Sequence, residues 1–157
     1  MGTFYDRASL VTARAQWRQD AKTVVFTNGC YDLLHPGHIR LLEQSRSLGD
    51  ILILALNTDA SVARLKGAHR PLIAEQDRAA VALELASIDA VTFFDEDTPR
   101  ELVAAVLPDI LVKGSDWSHF VAGREEVEAA GGKVVLLPLE PGYSTTNLER
   151  DILARLT

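Results

Sequence analysis

The chain has 157 residues, 47% of them hydrophobic, enough for one buried core without crosslinks. Its single cysteine, Cys30, excludes an intrachain disulfide, and a formal net charge of −6 argues against wrapping a nucleic-acid backbone. No apolar run reaches the roughly 18–20 residues of a membrane span, and the first twenty residues carry too much charge for a signal peptide, so a soluble cytoplasmic protein is expected.

From the N-terminus, Leu10, Val11, Ala13 and Trp17 recur at helical spacing, predicting a helix over Ser9 to Asp20 with Ser9 as N-cap, within a helical extension covering 1–22. Five β-branched-rich runs then predict strands buried on both faces: 23–28, 51–57, 90–94, 109–114 and 133–139. Helical stretches fall between them, at 37–48, 59–65, 75–86, 99–106 and 124–130, with a last one near 146–156. Alternation of buried strands and helices predicts an α/β fold, a Rossmann-like doubly wound parallel sheet of five strands with helices on both faces, in a single domain spanning 1–157. Ligands of such sheets sit at the carboxyl ends of the strands, where strand order reverses.

The segment "FTNGCYDLLHPGH" occupies the first such end. Gly29 permits a tight turn, Pro36 and Gly37 open the next helix, and His35 and His38 fall on one side of its first turn. Free N–H groups and the positive end of the helix dipole make that point an anion site, suited to phosphate. Three readings are open: helix capping, a zinc site with Cys30 and Asp32, or phosphoryl and nucleotidyl transfer, in which imidazole N–H groups hold the developing charge.

Elsewhere, Lys66 and Arg70 lie on a loop after a short helix and either complement its dipole or reach an anion. Arg78 stands at a helix start, where a cation needs a partner, either a phosphate or Glu75 or Asp77. Lys113, at the end of a buried strand and followed by Gly114, must emerge at the carboxyl edge or find an anion. In "GYSTTNLE", Thr146 and Glu149 match a capping box, while the hydroxyls of Ser144, Thr145 and Thr146 would also suit phosphate. The aspartates of "FFDEDTP" are expected to cap the helix starting at Pro99. Neither GxGxxG nor a P-loop is present.

The His-x-Gly-His signature resembles that of the cytidylyltransferase-like nucleotidyltransferases. Together with "LNTDASVARLKGAHRPL", the stretch from Asp77 to Trp117 and "GYSTTNL", it is most similar to the adenylyltransferases that form ADP-heptose for lipopolysaccharide, in their stand-alone form because no sugar-kinase half is present. The resemblance implies transfer of AMP from ATP to D-glycero-β-D-manno-heptose 1-phosphate, with Mg2+ carried by the nucleotide phosphates, no protein metal ligand, and a homodimer. It implies catalytic roles for His35, His38 and Lys66. It implies nucleotide binding by Thr27, Asn28, Gly29, Cys30, Tyr31, Asp32, Gly37, Arg70, Arg78, Lys113, Gly114, Ser144, Thr145 and Thr146. Ser115, Trp117 and Tyr143 depart from the family pattern. A cytidylyltransferase acting on glycerol 3-phosphate or a similar ester, and a catalytically silent nucleotide-binding module, are the alternatives.

Overall fold

The computed structural model describes residues 1–157, apart from the side chain of Trp117. Its strands are β1 (Thr3–Phe4), β2 (Val24–Gly29), β3 (Ile51–Asn57), β4 (Ala90–Phe94), β5 (Ile110–Gly114) and β6 (Lys133–Leu137). Its helices are α1 (Arg7–Gln19), α2 (Pro36–Arg46), α3 (Asp59–Lys66), α4 (Glu75–Leu83), α5 (Arg100–Val106), α6 (Arg124–Ala129) and α7 (Thr145–Leu156).

The strands form one all-parallel sheet in the order β1-β4-β3-β2-β5-β6. Every crossover between parallel neighbours needs a covering element, which is why the strands are apolar on both faces. Along β2 the alternation is direct: Val24 and Phe26 pack with Leu10, Ile53 and Leu111 on one face, and Val25 with Leu42, Leu52 and Val112 on the other. All nine of those side chains are fully buried. At roughly 1.5–3 kcal/mol per large apolar side chain, these two layers dominate the favourable side of folding.

From β2 the chain winds outward through β3 and β4, then returns to β2's other side for β5 and β6. The direction of winding therefore reverses at the carboxyl ends of β2 and β5, which is where a ligand is accommodated in such sheets. The amino ends are tied off by carboxylates. Asp50 accepts from Thr23 N, Asp89 from Leu52 N and Asp109 from Val24 N, each at 2.8 Å. These three acids thus serve the edge opposite the histidine turn.

The structure corrects several sequence expectations. The sheet has six strands, because Thr3–Phe4 pairs with β4, a run too short to carry a periodic signal. The first helix starts at Arg7, and its N-cap is Asp6, whose carboxylate accepts from Ser9 N at 2.7 Å. Nor is this N-terminal segment a mere extension: Leu10 is fully buried, and Arg14 donates to Leu107 O and Asp109. The last strand stops at Leu137 rather than Leu139 because Pro138 cannot donate to a ladder. The aspartates of "FFDEDTP" do not cap α5, whose N-cap Pro99 has no side-chain bond; Asp95 instead accepts from Thr58, and both Asp95 and Asp97 pair with Arg64. Among the described residues, no helix is long and apolar enough to cross a membrane.

Candidate active site

The turn from β2 to α2 is shaped by sterics around the Tyr31 ring. Gly29 lies so close to Tyr31 that an added Cβ would sit 2.8 Å from Tyr31 Cε2. Tyr31 itself adopts φ +47°, a conformation that a side-chain-bearing residue keeps only when its surroundings hold it. Burial pushes its phenol well above the usual tyrosine range, with a hydrogen bond to Thr27 acting against that. Thr27 in turn donates to Val112 O at 3.3 Å, which links β2 to β5 beneath the turn.

His35 is the N-cap of α2, with extended backbone at φ −143°, and its Nδ1 accepts from His38 N at 3.3 Å. An accepting Nδ1 places the proton of the neutral ring on Nε2, leaving that N–H as an outward donor. The two imidazoles stack with centroids 3.7 Å apart. Burial holds both below the usual histidine range, and His38, with His35 beside it, falls to about 4. Both rings are therefore neutral hydrogen-bonding groups near pH 7. His38 Nδ1 and Asn28 Oδ1 are buried without a hydrogen-bond partner among the described residues. Arg14 Nη1 and Thr92 Oγ1 are orphaned elsewhere, but here two such atoms occur at one turn, where a bound group could satisfy them.

Around this turn runs a buried ion network. Both carboxylate oxygens of Asp32 accept from Leu72 N at 2.9 Å, Ile73 N bonds at 2.8 Å, and Arg70 Nε bonds at 2.6 Å. Burial alone would raise this carboxyl, but those donors outweigh it and hold it below the usual range. Arg70 continues to Glu149 on α7 at 3.4 Å. Arg70 is thus placed otherwise than the sequence suggested: only 6% exposed, its guanidinium spans two carboxylates instead of a solvent-facing loop. Arg78 is also buried, and its partner is neither Glu75 nor Asp77 but Asp59 at 2.8 Å, with further bonds to Cys30 O and Ile73 O. Both arginines brace the turn and the 67–74 loop. Asp32, Asp59 and Glu149 as their partners escaped sequence reasoning, although a buried arginine demands a carboxylate somewhere.

With Asp32 so engaged, the zinc reading loses a ligand, and no group of three or more His, Cys, Asp or Glu suited to a metal occurs among the described residues. Cys30 is half-buried; desolvation raises its thiol, opposed by Lys66, Arg78 and Arg70. Lys66 ends α3 exposed to solvent, just before Gly67 at φ +107°. Lys113 emerges from β5 beside Cys30, and burial lowers its amine to about 8 while Asp116 acts against it. Gly114 closes β5 in front of a short 3-10 turn, Ser115–Trp117; the side chain of Trp117 lies outside the described residues.

The start of α7 leans on the same turn. Thr145 Oγ1 donates to Leu33 O at 3.4 Å. The N-cap is Ser144, which accepts from Asn147 N at 3.0 Å, so the expected Thr146–Glu149 capping box is not formed: Thr146 is exposed and Glu149 turns to Arg70 and His69. Two helices, α2 and α7, therefore start next to the histidine pair, each presenting unbonded N–H groups. A cleft of about 460 Å³ lined by Leu34, His35, Pro36, Ile39, Arg40 and Glu43 adjoins them. A larger one of about 630 Å³, around Arg64, Phe93 and Glu96, lies past β4, away from the histidines.

Stacked neutral imidazoles, two helix starts and nearby lysines at the reversal point of a parallel sheet define the class of α/β nucleotidyltransferases with a His-x-Gly-His turn. The chain belongs to the cytidylyltransferase-like family, whose model matches residues 26–150. The bifunctional protein HldE of Syntrophotalea carbinolica is 55% identical over 139 residues, 88% of this chain and 28% of the relative. That of Acidiphilium cryptum is 54% identical over 89% of this chain and 29% of its own length. The chain thus spans under a third of these curated relatives. Among solved structures, the lipopolysaccharide core biosynthesis protein of Thermoplasma volcanium is 30% identical over 76% of this chain and 97% of its own, with a TM-score of 0.62. The pantoate-beta-alanine ligase of Francisella tularensis, 12% identical over 100% of this chain and 79% of its own, with a TM-score of 0.66, shares the fold alone.

Proposed function

We propose that this chain transfers AMP from ATP to a sugar 1-phosphate, D-glycero-β-D-manno-heptose 1-phosphate, releasing pyrophosphate and forming ADP-heptose. The observation carrying this reading is the neutral, stacked His35 and His38 pair between two helix starts. Similarity to bifunctional HldE proteins and to a lipopolysaccharide core biosynthesis protein supports the acceptor class.

An oxygen of the sugar phosphate attacks the α-phosphorus in line, a P–O bond forms, and the bond to the bridging oxygen of pyrophosphate breaks. Negative charge grows on the non-bridging α-oxygens and on the leaving group. His38 donates to the α-phosphate, and His35 Nε2–H to a neighbouring phosphate oxygen. Lys66, Lys113 and the N–H groups at the starts of α2 and α7, with Ser144, Thr145 and Thr146, spread the remaining charge. Gly29, Cys30, Tyr31, Gly37 and Gly114 shape the floor beneath the nucleotide, and Asp32, Arg70 and Arg78 hold the loops around it. Neutral donors suit this task, since stacked cations would repel each other before substrate arrived. Magnesium would be carried by the triphosphate and would offset part of its charge. Residence in the cytoplasm, where ATP is available, and a homodimer belong to the same reading.

Incubating the protein with ATP or CTP and a panel of hexose and heptose 1-phosphates plus glycerol 3-phosphate, with products identified by mass, tests it. ADP-heptose is the expected product. A CDP-linked product refutes the assigned base and acceptor, and nucleotide binding without turnover on any acceptor refutes the enzymatic reading.

A further inference from the structure

We propose that Tyr143 is a positioning residue for the histidine pair, the outer member of an aromatic column that fixes both imidazole planes and joins the starts of α2 and α7. The column runs from buried Tyr31 to His38 (centroids 4.7 Å), to His35 (3.7 Å, 17° from parallel), to Tyr143 (5.9 Å, 20°). Its inner end is buried: Tyr31 is 8% exposed and packed against Gly29. The outer end is different: Tyr143 is 43% exposed and belongs to neither core cluster. Its ring has two neighbours of interest, His35 on one side and the Arg40 guanidinium 6.0 Å from its centroid, and Arg40 is held by an ion pair with Glu140. Offset ring stacking and cation–π contact both need an aromatic face, which an aliphatic residue of equal bulk does not provide.

The connection matters because the next residue, Ser144, caps α7. Placing Tyr143 on His35 seats the α7 start against the α2 start, so both sets of N–H donors and both imidazoles share one arrangement. Without that ring, the His35 imidazole keeps its long 3.3 Å bond from His38 N and its stack on His38 but loses the aromatic face on its outer side. Its plane then becomes free to rotate, and the partial burial that holds its imidazole down is relieved.

This inference rests on the adenylyltransferase reading for its kinetic consequence, though not for its structural one. The test combines a 13C-histidine NMR titration of the ligand-free protein with steady-state kinetics for wild type, Tyr143→Ala and Tyr143→Phe. In Tyr143→Ala the His35 signal is expected to titrate at higher pH, nearer the ordinary 6.5, and kcat to fall about three- to tenfold with little change in the KM for ATP. Tyr143→Phe, which keeps the face and loses the hydroxyl, restores both. The proposal is overturned if Tyr143→Ala leaves the His35 titration unaltered, or if Tyr143→Phe loses as much as Tyr143→Ala. Should wild type prove inactive on every acceptor while the His35 signal still moves in Tyr143→Ala, the transfer reading fails and the column stands.

Discussion

The imidazoles of His35 and His38 lie face to face, 3.7 Å between centroids, with His35 Nδ1 accepting from the backbone N–H of His38. The second ring therefore sits where the first fixes both its backbone and its face. Charging either ring would strand a cation against its neighbour in a partly desolvated site, so the pair is built to stay neutral.

That neutrality has a thermodynamic signature. Burial lowers His38 from 6.5 to about 4 in the folded protein, so between those values the unfolded chain binds the proton more readily. Stability is expected to be full above about pH 6.5, to decline as pH falls through that window, and to have lost this contribution, on the order of 3 kcal/mol, below about 4. Urea unfolding at several pH values, with His38→Gln as reference, checks it. An equal pH dependence in the two proteins would remove the basis for a neutral pair.

The ion network around Asp32 calls for a separate experiment. Asp32 is fully buried at its side chain, Arg70 is nearly so, and the pair is 2.6 Å apart. Removing one partner leaves an uncompensated buried charge, which typically costs about 3–5 kcal/mol. Arg70→Met is therefore expected to lower the unfolding free energy from urea titration by that order, and Asp32→Asn to do likewise while loosening the loop at Leu72 and Ile73. If Arg70→Met unfolds like wild type and only the rate suffers, Arg70 acts on phosphate directly and does not brace the turn.

Much of this architecture was readable in the chain. Strands β2 to β5 announce themselves because a strand buried on both faces must be continuously apolar, and the signature turn is legible since Gly29, Pro36 and Gly37 have few other uses there. What escaped were pairings that depend on tertiary contact. Arg70 looks like a loop cation, and Arg78 like one that needs Glu75, Asp77 or a phosphate, because their actual carboxylates lie 38 and 19 residues away in sequence. Ser9 looks like a cap because Asp6 lies three residues earlier at a position whose extended backbone no pattern displays. β1 was invisible because its two residues are ordered by β4 and not by any periodicity of their own.

The α7 start offers a direct contrast between two hydroxyls. Ser144 accepts from Asn147 N at 3.0 Å, whereas Thr146 is exposed and Glu149 is committed to Arg70. Ser144→Ala is expected to cost about 1 kcal/mol of stability, the usual worth of an N-cap, and Thr146→Ala less than about 0.5 kcal/mol. Thermal unfolding of both variants decides. Equal losses would indicate that a Thr146 capping box forms after all.

Gly37 separates packing from propensity. In the first turn of α2, alanine is the better helix former by up to about 1 kcal/mol, so on helical grounds Gly37→Ala ought to stabilise the protein slightly. A Cβ there, however, would lie 3.0 Å from His35 Nδ1 and 3.0 Å from Tyr143 Cβ, tighter than an ordinary contact on two sides at once. His35 and Tyr143 would have to yield together, and a yielding His35 loses its alignment with His38. Gly37→Ala is expected to unfold within about 1 kcal/mol of wild type, while AMP transfer falls by tenfold or more, about the effect of misplacing one preorganised donor. Parallel denaturation and turnover measurements on the purified variant check both halves. Wild-type turnover in a normally folded Gly37→Ala protein would show that the imidazole plane is not what this glycine protects.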